Sequence, residues 1–251
     1  MSDATRAEIC AVACAEAFRG SGEILASAFG TAPAIGVRLA RATFAPDLLL
    51  TDGESRLVRG IWPLGAAPDG PVEGYLPFRA IFDLVWSGRR HAMMMPTQID
   101  AHGNVNISAI GPYDAPTVQL VGVRGAPGNT VCHPVSYWIP RHSTRVFVPR
   151  VDLVCGVGTD AAAAAGPAAR HHDLRRVVTD LAVLDFAPAT GTLRLRSVHP
   201  GVRPEDVTAR TGCPLVIDGD VPATRLPTAA ELRLIREDID PAGLRHEEIP
   251  A

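Results

Sequence analysis

The chain has 251 residues, 47% of them apolar and 20% charged, with a formal net charge of -3. That is enough length for one large domain with a buried core, in the composition of a globular enzyme. The slight acidity gives no basis for binding nucleic acid or an anionic membrane surface, and no apolar run reaches the roughly 18–20 residues of a membrane span.

In chain order, Ser2 or Asp3 is expected to cap a first helix running to about Arg19, with Glu8 in its first turns and Gly20-Ser21-Gly22 ending it. Residues 23–27 predict a short strand. Residues 33–43 predict a second helix, because Ile35, Leu39 and Ala42 recur at spacings of four and three. Residues 48–50 form the next strand. Strand, helix and strand in so short a span predict a right-handed crossover and a parallel sheet. The Gly- and Pro-rich residues 60–77 read as a surface excursion, 78–87 as an apolar helix ended by Gly88, and 91–95 as a buried strand. Residues 104–110, 118–121, 144–148 and 152–157 are β-rich. Gly166-Pro167 argues that the alanine tract 161–169 is a loose connection. Residues 175–186 and 192–198 are expected to pair near the far edge of the sheet. Two helices close the chain: 204–211, with Pro204 in its first position, and 228–239, where Thr228 and Glu231 form a capping box. No internal repeat is present, and residues 1–251 read as a single domain.

Every basic residue in the net charge is arginine, which we read as codon usage. The five cysteines, Cys10, Cys14, Cys132, Cys155 and Cys213, are odd in number and form no CxxC pair, so neither a disulfide framework nor a zinc site is indicated. Cys10 and Cys14 lie one helical turn apart beside Ile9, Ala13 and Ala17, as core packing would place them. His102, His133 and His142 do not fall at metal-ligand spacings. Charged residues at the N-terminus occupy the place of a signal peptide's apolar region, so a reducing cytoplasm is expected.

Three loops could carry chemistry. In Thr51-Asp52-Gly53-Glu54, two carboxylates flank a glycine just past an apolar strand, where open α/β sheets bind ligands. The alternative is a solvated turn. In residues 98–106, QIDAHGNVN, Asn104 and Asn106 point the same way if the chain is extended; alternatively the asparagines bond their own backbone at a hairpin corner. In residues 124–129, RGAPGN, Gly125 and Gly128 would let backbone N–H groups face an anion or acyl oxygen while Arg124 holds a carboxylate or phosphate. The same residues also make a good turn without function. No nucleophile elbow, P-loop or dinucleotide-binding glycine pattern occurs.

Taken in this order, FAPDLLLTDGE, FDLVWSGRRHAMMMPTQIDAHGNVNISAIG, GVRGAPGN and RVFVPRVDLVCGVG resemble the β subunit of class I coenzyme A transferases of the glutaconate CoA-transferase-like group, over about residues 5–240. TDGE, GRRH, RGAPGNTVCHPVSYW and RLPT-x-x-EL-x-LIR resemble one branch, the heteromeric hydrolases that open steroid-derived rings in cholesterol catabolism. The resemblance implies an α/β fold, a parallel sheet with flanking helices and an antiparallel edge. It also implies a homologous α subunit, in an α2β2 heterotetramer, with the site formed between subunits.

In the transferases of this group a glutamate follows the strand and attacks the thioester. Alignment on APDLLL puts Gly53 in that slot and Glu54 one residue late, where an extended chain turns the side chain to the opposite face. The hydrolytic branch implies retro-Claisen ring opening of a CoA thioester, with the general base a glutamate of the α subunit. Coenzyme A then enters as part of the substrate, without metal or prosthetic group. On this reading the chain supplies substrate- and CoA-binding groups: Gln98, Asp100, Asn104, Asn106, Arg124, Gly125, Gly128, Asn129 and His133. Met93 to Met95 and Trp138 are candidate apolar walls. A transferase acting through Glu54 and a non-catalytic stabilising subunit are the alternatives.

Overall fold

The first helix, α1 (Arg6–Glu16), starts where Thr5 and Glu8 cap each other. The Glu8 N–H donates to the Thr5 hydroxyl at 3.4 Å, and the Thr5 N–H donates to the Glu8 carboxylate at 2.8 Å. Thr5, rather than Ser2 or Asp3, is therefore the cap. The computed structural model describes residues 4–51 and 55–250, and the chain divides into two units, Met1–Met94 with Arg225–Ala251, and Met95–Thr224.

In the first unit, β1 (Leu25–Ala28) leads into α2 (Thr31–Ala42), and β1 pairs in parallel with β4 (Arg90–Met94), Leu25 opposite Arg90. The predicted strand at 48–50 is reduced to a bridge between Leu49 and Leu25. A hairpin pairs β2 (Arg56–Val58), just before the predicted excursion, with β3 (Val72–Tyr75) inside it, both too short to leave a periodic signal among the glycines and prolines. Helices α1 and α2 pack closely because Gly36 has no side chain: a Cβ there would lie 2.8 Å from Ala15 N and Cys14 Cβ. Cys10, Cys14, Phe18, Ile35, Leu39 and Leu48 fill this core. The capping box at Thr228 and Glu231 opens the helix Ala229–Arg233, continued by a π-helical segment, Leu234–Ile239. The C-terminal segment is clamped to α1 by ion pairs. Arg236 reaches buried Glu8 at 2.7 Å, and Arg225 reaches both Glu16 and Glu231 at 2.7 Å. Helix α3 (Phe78–Trp86) forms as expected, but none of its residues is buried, and Phe78, Phe82 and Trp86 lie exposed.

The second unit begins with two small hairpins, β5 (Gln98–Ile99) with β6 (Val105–Asn106), and β7 (Ala109–Ile110) with β8 (Val118–Gln119). After α4 (Ala126–Cys132) comes β9 (Pro134–Ile139), a strand absent from the sequence reading, whose Val135, Tyr137, Trp138 and Ile139 are buried. Helix α5 (Thr159–Ala165) corrects the loose connection: Gly166, at φ +55°, ends a helix rather than preventing one. Strand β9 pairs in parallel with β10 (Asp173–Thr179). Strands β11 (Ala182–Phe186) and β12 (Leu193–Val198) continue antiparallel, giving the expected antiparallel edge. The predicted strand at 175–186 is thus two strands turning at Asp180-Leu181. Residues 144–148 and 152–157 contribute only the bridges Ile99–Phe147 and Val105–Gly156. A short helix, α6 (Pro204–Thr208), follows.

Candidate functional site

The β5–β6 hairpin holds four of the nine candidate residues, and all four side chains bond to protein. Gln98 and Asn106 are directly opposite in the ladder, and Asn106 Nδ2 donates to Gln98 Oε1 at 2.8 Å and to the Ala109 carbonyl at 2.7 Å. Asn106 Oδ1 accepts from the Ser108 N–H at 2.9 Å. Gln98 also accepts from the Asp152 N–H at 3.0 Å and donates to its carboxylate at 3.2 Å. At the tip, Asp100 accepts from the backbone N–H groups of His102 and Asn104, an Asx-type turn that Gly103 closes at φ +81°. A Cβ on Gly103 would lie 2.7 Å from the Phe186 ring.

Asn104 joins this tip to α5. Its Nδ2 donates to Asp100 Oδ2 and to Asp160 Oδ1, both at 3.0 Å, and its Oδ1 accepts from the Gly158 N–H at 2.7 Å. Two carboxylates share one amide, and their environments push them apart. Burial raises the Asp100 pKa above the usual value, more than its hydrogen bonds lower it. Asp160 is shifted down, because hydrogen bonds from the Ala161 N–H and Asn104, with the charge on His102, outweigh its desolvation. Among the expected site residues, Asn106 has no exposed surface and Gln98, Asp100 and Asn104 are buried.

Residues 124–129 form the entry to α4 rather than an open turn. Gly125 is its N-cap, Gly128 lies within it, and the Ala126 N–H already donates to the Val123 carbonyl at 3.1 Å. Arg124 is exposed, takes a left-handed φ of +47°, and makes no hydrogen bond or ion pair with any described residue. Asn129 and His133 are buried one helical turn apart, with Asn129 Oδ1 3.2 Å from His133 Nε2. Asp52, Gly53 and Glu54 lie outside the described residues. Met93 and Trp138 have no exposed surface and Met94 is buried, so of the candidate wall residues Met95 alone is exposed.

Sequence reasoning missed Asp152, Asp160, Thr130 and Gly158, the partners that complete these networks. Thr130 accepts from the Val157 N–H at 3.0 Å, and a Cβ on Gly158 would lie 2.5 Å from the His102 carbonyl oxygen. The signal for Gly158 and Asp160 was GVGTD, residues 156–160, notable chiefly for failing to match a nucleotide-binding loop. Its glycines serve close backbone approach instead. No group of three or more His, Cys, Asp or Glu among the described residues is placed to hold a metal ion. Nor is any helix among them long and apolar enough to cross a membrane.

A family model described as coenzyme A transferase matches residues 81–210. The IpdB subunit of the cholesterol ring-cleaving hydrolase of Rhodococcus jostii is 51% identical over 249 residues, covering 99% of this chain and 98% of that subunit. The chain belongs to the coenzyme A transferase family. The crystal structure of IpdAB from the same organism aligns with a TM-score of 0.94 over 100% of both chains. The glutaconate CoA-transferase of Acidaminococcus fermentans has a subunit 30% identical to this chain over 242 residues, 83% of each. The family's α/β fold, inferred from the loop motifs, is the fold observed.

Proposed function

We propose that this chain is the β subunit of a heteromeric hydrolase that opens a steroid-derived ring held as its CoA thioester. The observation that carries this reading is the 51% identity to the IpdB subunit along essentially the whole chain. The enzyme works in the cytoplasm as an α2β2 heterotetramer with a homologous α subunit. A glutamate of that subunit deprotonates water, which adds to a ring ketone. The bond from that carbonyl carbon to the carbon between the two carbonyl groups then breaks. Its electron pair is held as an enolate by the thioester carbonyl and then protonated, and the ketone carbon becomes a carboxylate still attached to the opened chain.

Within this chain the β5–β6 hairpin acts as the scaffold. Gln98, Asp100, Asn104 and Asn106 fix its shape through the bonds described above, so that α4 and its entry are held in place for the substrate. Arg124, exposed and paired with no described carboxylate, is the group for a CoA phosphate. Its left-handed backbone at the head of α4 is the kind of local strain found at ligand clamps. Asn129 and His133, buried and bonded to each other, support the acyl end of the site from behind rather than facing it.

The deciding test incubates the co-expressed α–β complex with a bicyclic steroid-derived CoA thioester. The expected result is a ring-opened acid, with no mass added to this chain. A mass increase matching CoA that disappears in Glu54→Ala would overturn the hydrolase in favour of a transferase. Arg124→Ala should raise KM for the thioester about 10-fold, as loss of one charge-assisted phosphate contact would.

A further inference from the structure

We propose that the outer face of α3 is a docking surface for a second copy of this chain, the two helices packing antiparallel about a two-fold axis beside Phe82. Helix α3 has two distinct sides. Ala80, Ile81, Leu84 and Val85 are half-buried. Phe78 and Ile81 also help to line a cavity of about 580 Å³ against α2, whose cationic groups are Arg38 and Arg90. On the outside, Phe78, Phe82 and Trp86 recur every fourth residue and are 79%, 55% and 73% exposed. Phe78 and Phe82 meet edge to face at 5.3 Å.

The three rings present on the order of 400 Å² of apolar surface. One short helix thus matches the largest apolar patch of an ordinary monomer, and offers about half of the roughly 800 Å² that each partner buries in a standard interface. Tyr75, at the end of β3, is exposed as well and extends the apolar surface beyond the helix.

The charges decide the occupant. Arg79 and Asp83 flank the stripe on one side, one helical turn apart and both exposed. Among the described residues neither side chain has an ion pair or a hydrogen bond. When a helix packs antiparallel on its own copy about a two-fold axis, like flanks meet in reversed order. Arg79 then faces Asp83 of the copy, and Asp83 faces its Arg79. Phe78 meets Trp86 of the copy, and the two Phe82 rings meet at the axis. The face is complementary to itself in shape and in charge. A helix that lies on a membrane carries an excess of basic residues on its polar face, whereas α3 has one charge of each sign.

The inference takes from the proposed function only the α2β2 assembly, in which it makes this chain the contact between the two α–β pairs. The test reads mass rather than turnover, so its failure leaves the ring-opening reading untouched. The co-expressed complex is measured by sedimentation at fixed concentration. Phe82→Glu should halve its mass while the α subunit stays bound. Arg79→Glu sets like charges face to face and should weaken the association of the two halves about 10-fold, and Arg79→Glu combined with Asp83→Arg in the same chain should restore it. None of these residues is buried, so the variants leave the core intact. Phe82→Cys, in a chain whose native cysteines are all buried, should give on oxidation a species of twice this chain's mass. An unchanged mass for Phe82→Glu, or a wild-type complex holding a single copy of this chain, would overturn the proposal. Release of the α subunit by Phe82→Glu, or a Phe82→Cys crosslink to that subunit, would assign the face to the α subunit and overturn it equally, as would a double charge swap that fails to rescue.

Discussion

The β5–β6 hairpin and the cavity against α2 treat their polar groups in opposite ways. In the hairpin, every candidate side chain is buried and bonded to another protein group: Gln98 to Asn106 and Asp152, Asn104 to two carboxylates and a backbone N–H. In the cavity, Arg38 is held by two carbonyls and an aromatic face, with no carboxylate partner among the described residues. A saturated network rigidifies the chain, because each buried group that loses its partner incurs a desolvation cost. An oriented cation without a counter-charge keeps its charge. The conspicuous polar motif is thus the fold device, and the inconspicuous arginine on an amphipathic helix is the group left uncompensated.

The comparison breaks most readily at Asn104. Asn104→Ala leaves the Gly158 N–H and the Asp100 and Asp160 carboxylates short of a partner. It should cost roughly 3 kcal/mol, seen as a lowered urea midpoint of the complex at fixed concentration. If the variant is as stable as the wild type, the hairpin is not a scaffold.

A smaller effect distinguishes the units by pH. His142, in the second unit, is buried against Phe147 between the hydroxyls of Thr179 and Thr211, and desolvation pushes its pKa down to about 3. A histidine depressed in the folded state contributes stability that is complete above its unfolded value of 6.5 and lost as pH falls toward 3. By pH 4.5 the loss is roughly 2–3 kcal/mol, and His142→Gln should flatten that limb of the stability profile.

In the first unit, Glu8 and Glu231 are lowered by their arginine and backbone partners despite burial, and Glu16 chiefly by Arg19. Their contribution is present above the usual carboxylate value of 4.5 and lost only below it. Asp100 has the opposite sign: its raised pKa means the folded state binds its proton first, so acidification through that range favours folding. Stability measured between pH 7 and pH 5 should therefore respond to His142→Gln and not to Glu16→Gln.

Gly36→Ala forces a methyl group to within 2.8 Å of α1 and should cost about 1–3 kcal/mol, measured as a drop in Tm. Smallest is Thr228→Ala. It removes the hydroxyl that caps the Glu231 N–H at 3.2 Å and should cost about 1 kcal/mol.

Much of the architecture was legible before any coordinates. The helical spacing of Ile35 and Leu39, the capping box at Thr228 and the turn residue Gly88 all act within a few positions of themselves, so local sequence suffices to read them. Strand β9 escaped because all of its residues from Val135 to Ile139 are buried, which erases the alternation that marks a half-exposed strand. Helix α4 escaped because Gly125, Pro127 and Gly128 look like a turn. The polar loop at residues 98–106 was located correctly, while its bonding was not, since Asp152 and Asp160 lie more than fifty positions away in sequence.

What the sequence by itself determined is the family, the α/β alternation and the caps, because motif order and local periodicity survive in one dimension. Only the tertiary structure decided which polar groups are consumed and which remain available. Whether an arginine meets a carboxylate depends on chain segments brought together by folding. Arg41 and Arg38 sit on the same helix three residues apart, and only the first of them is neutralised by Glu73.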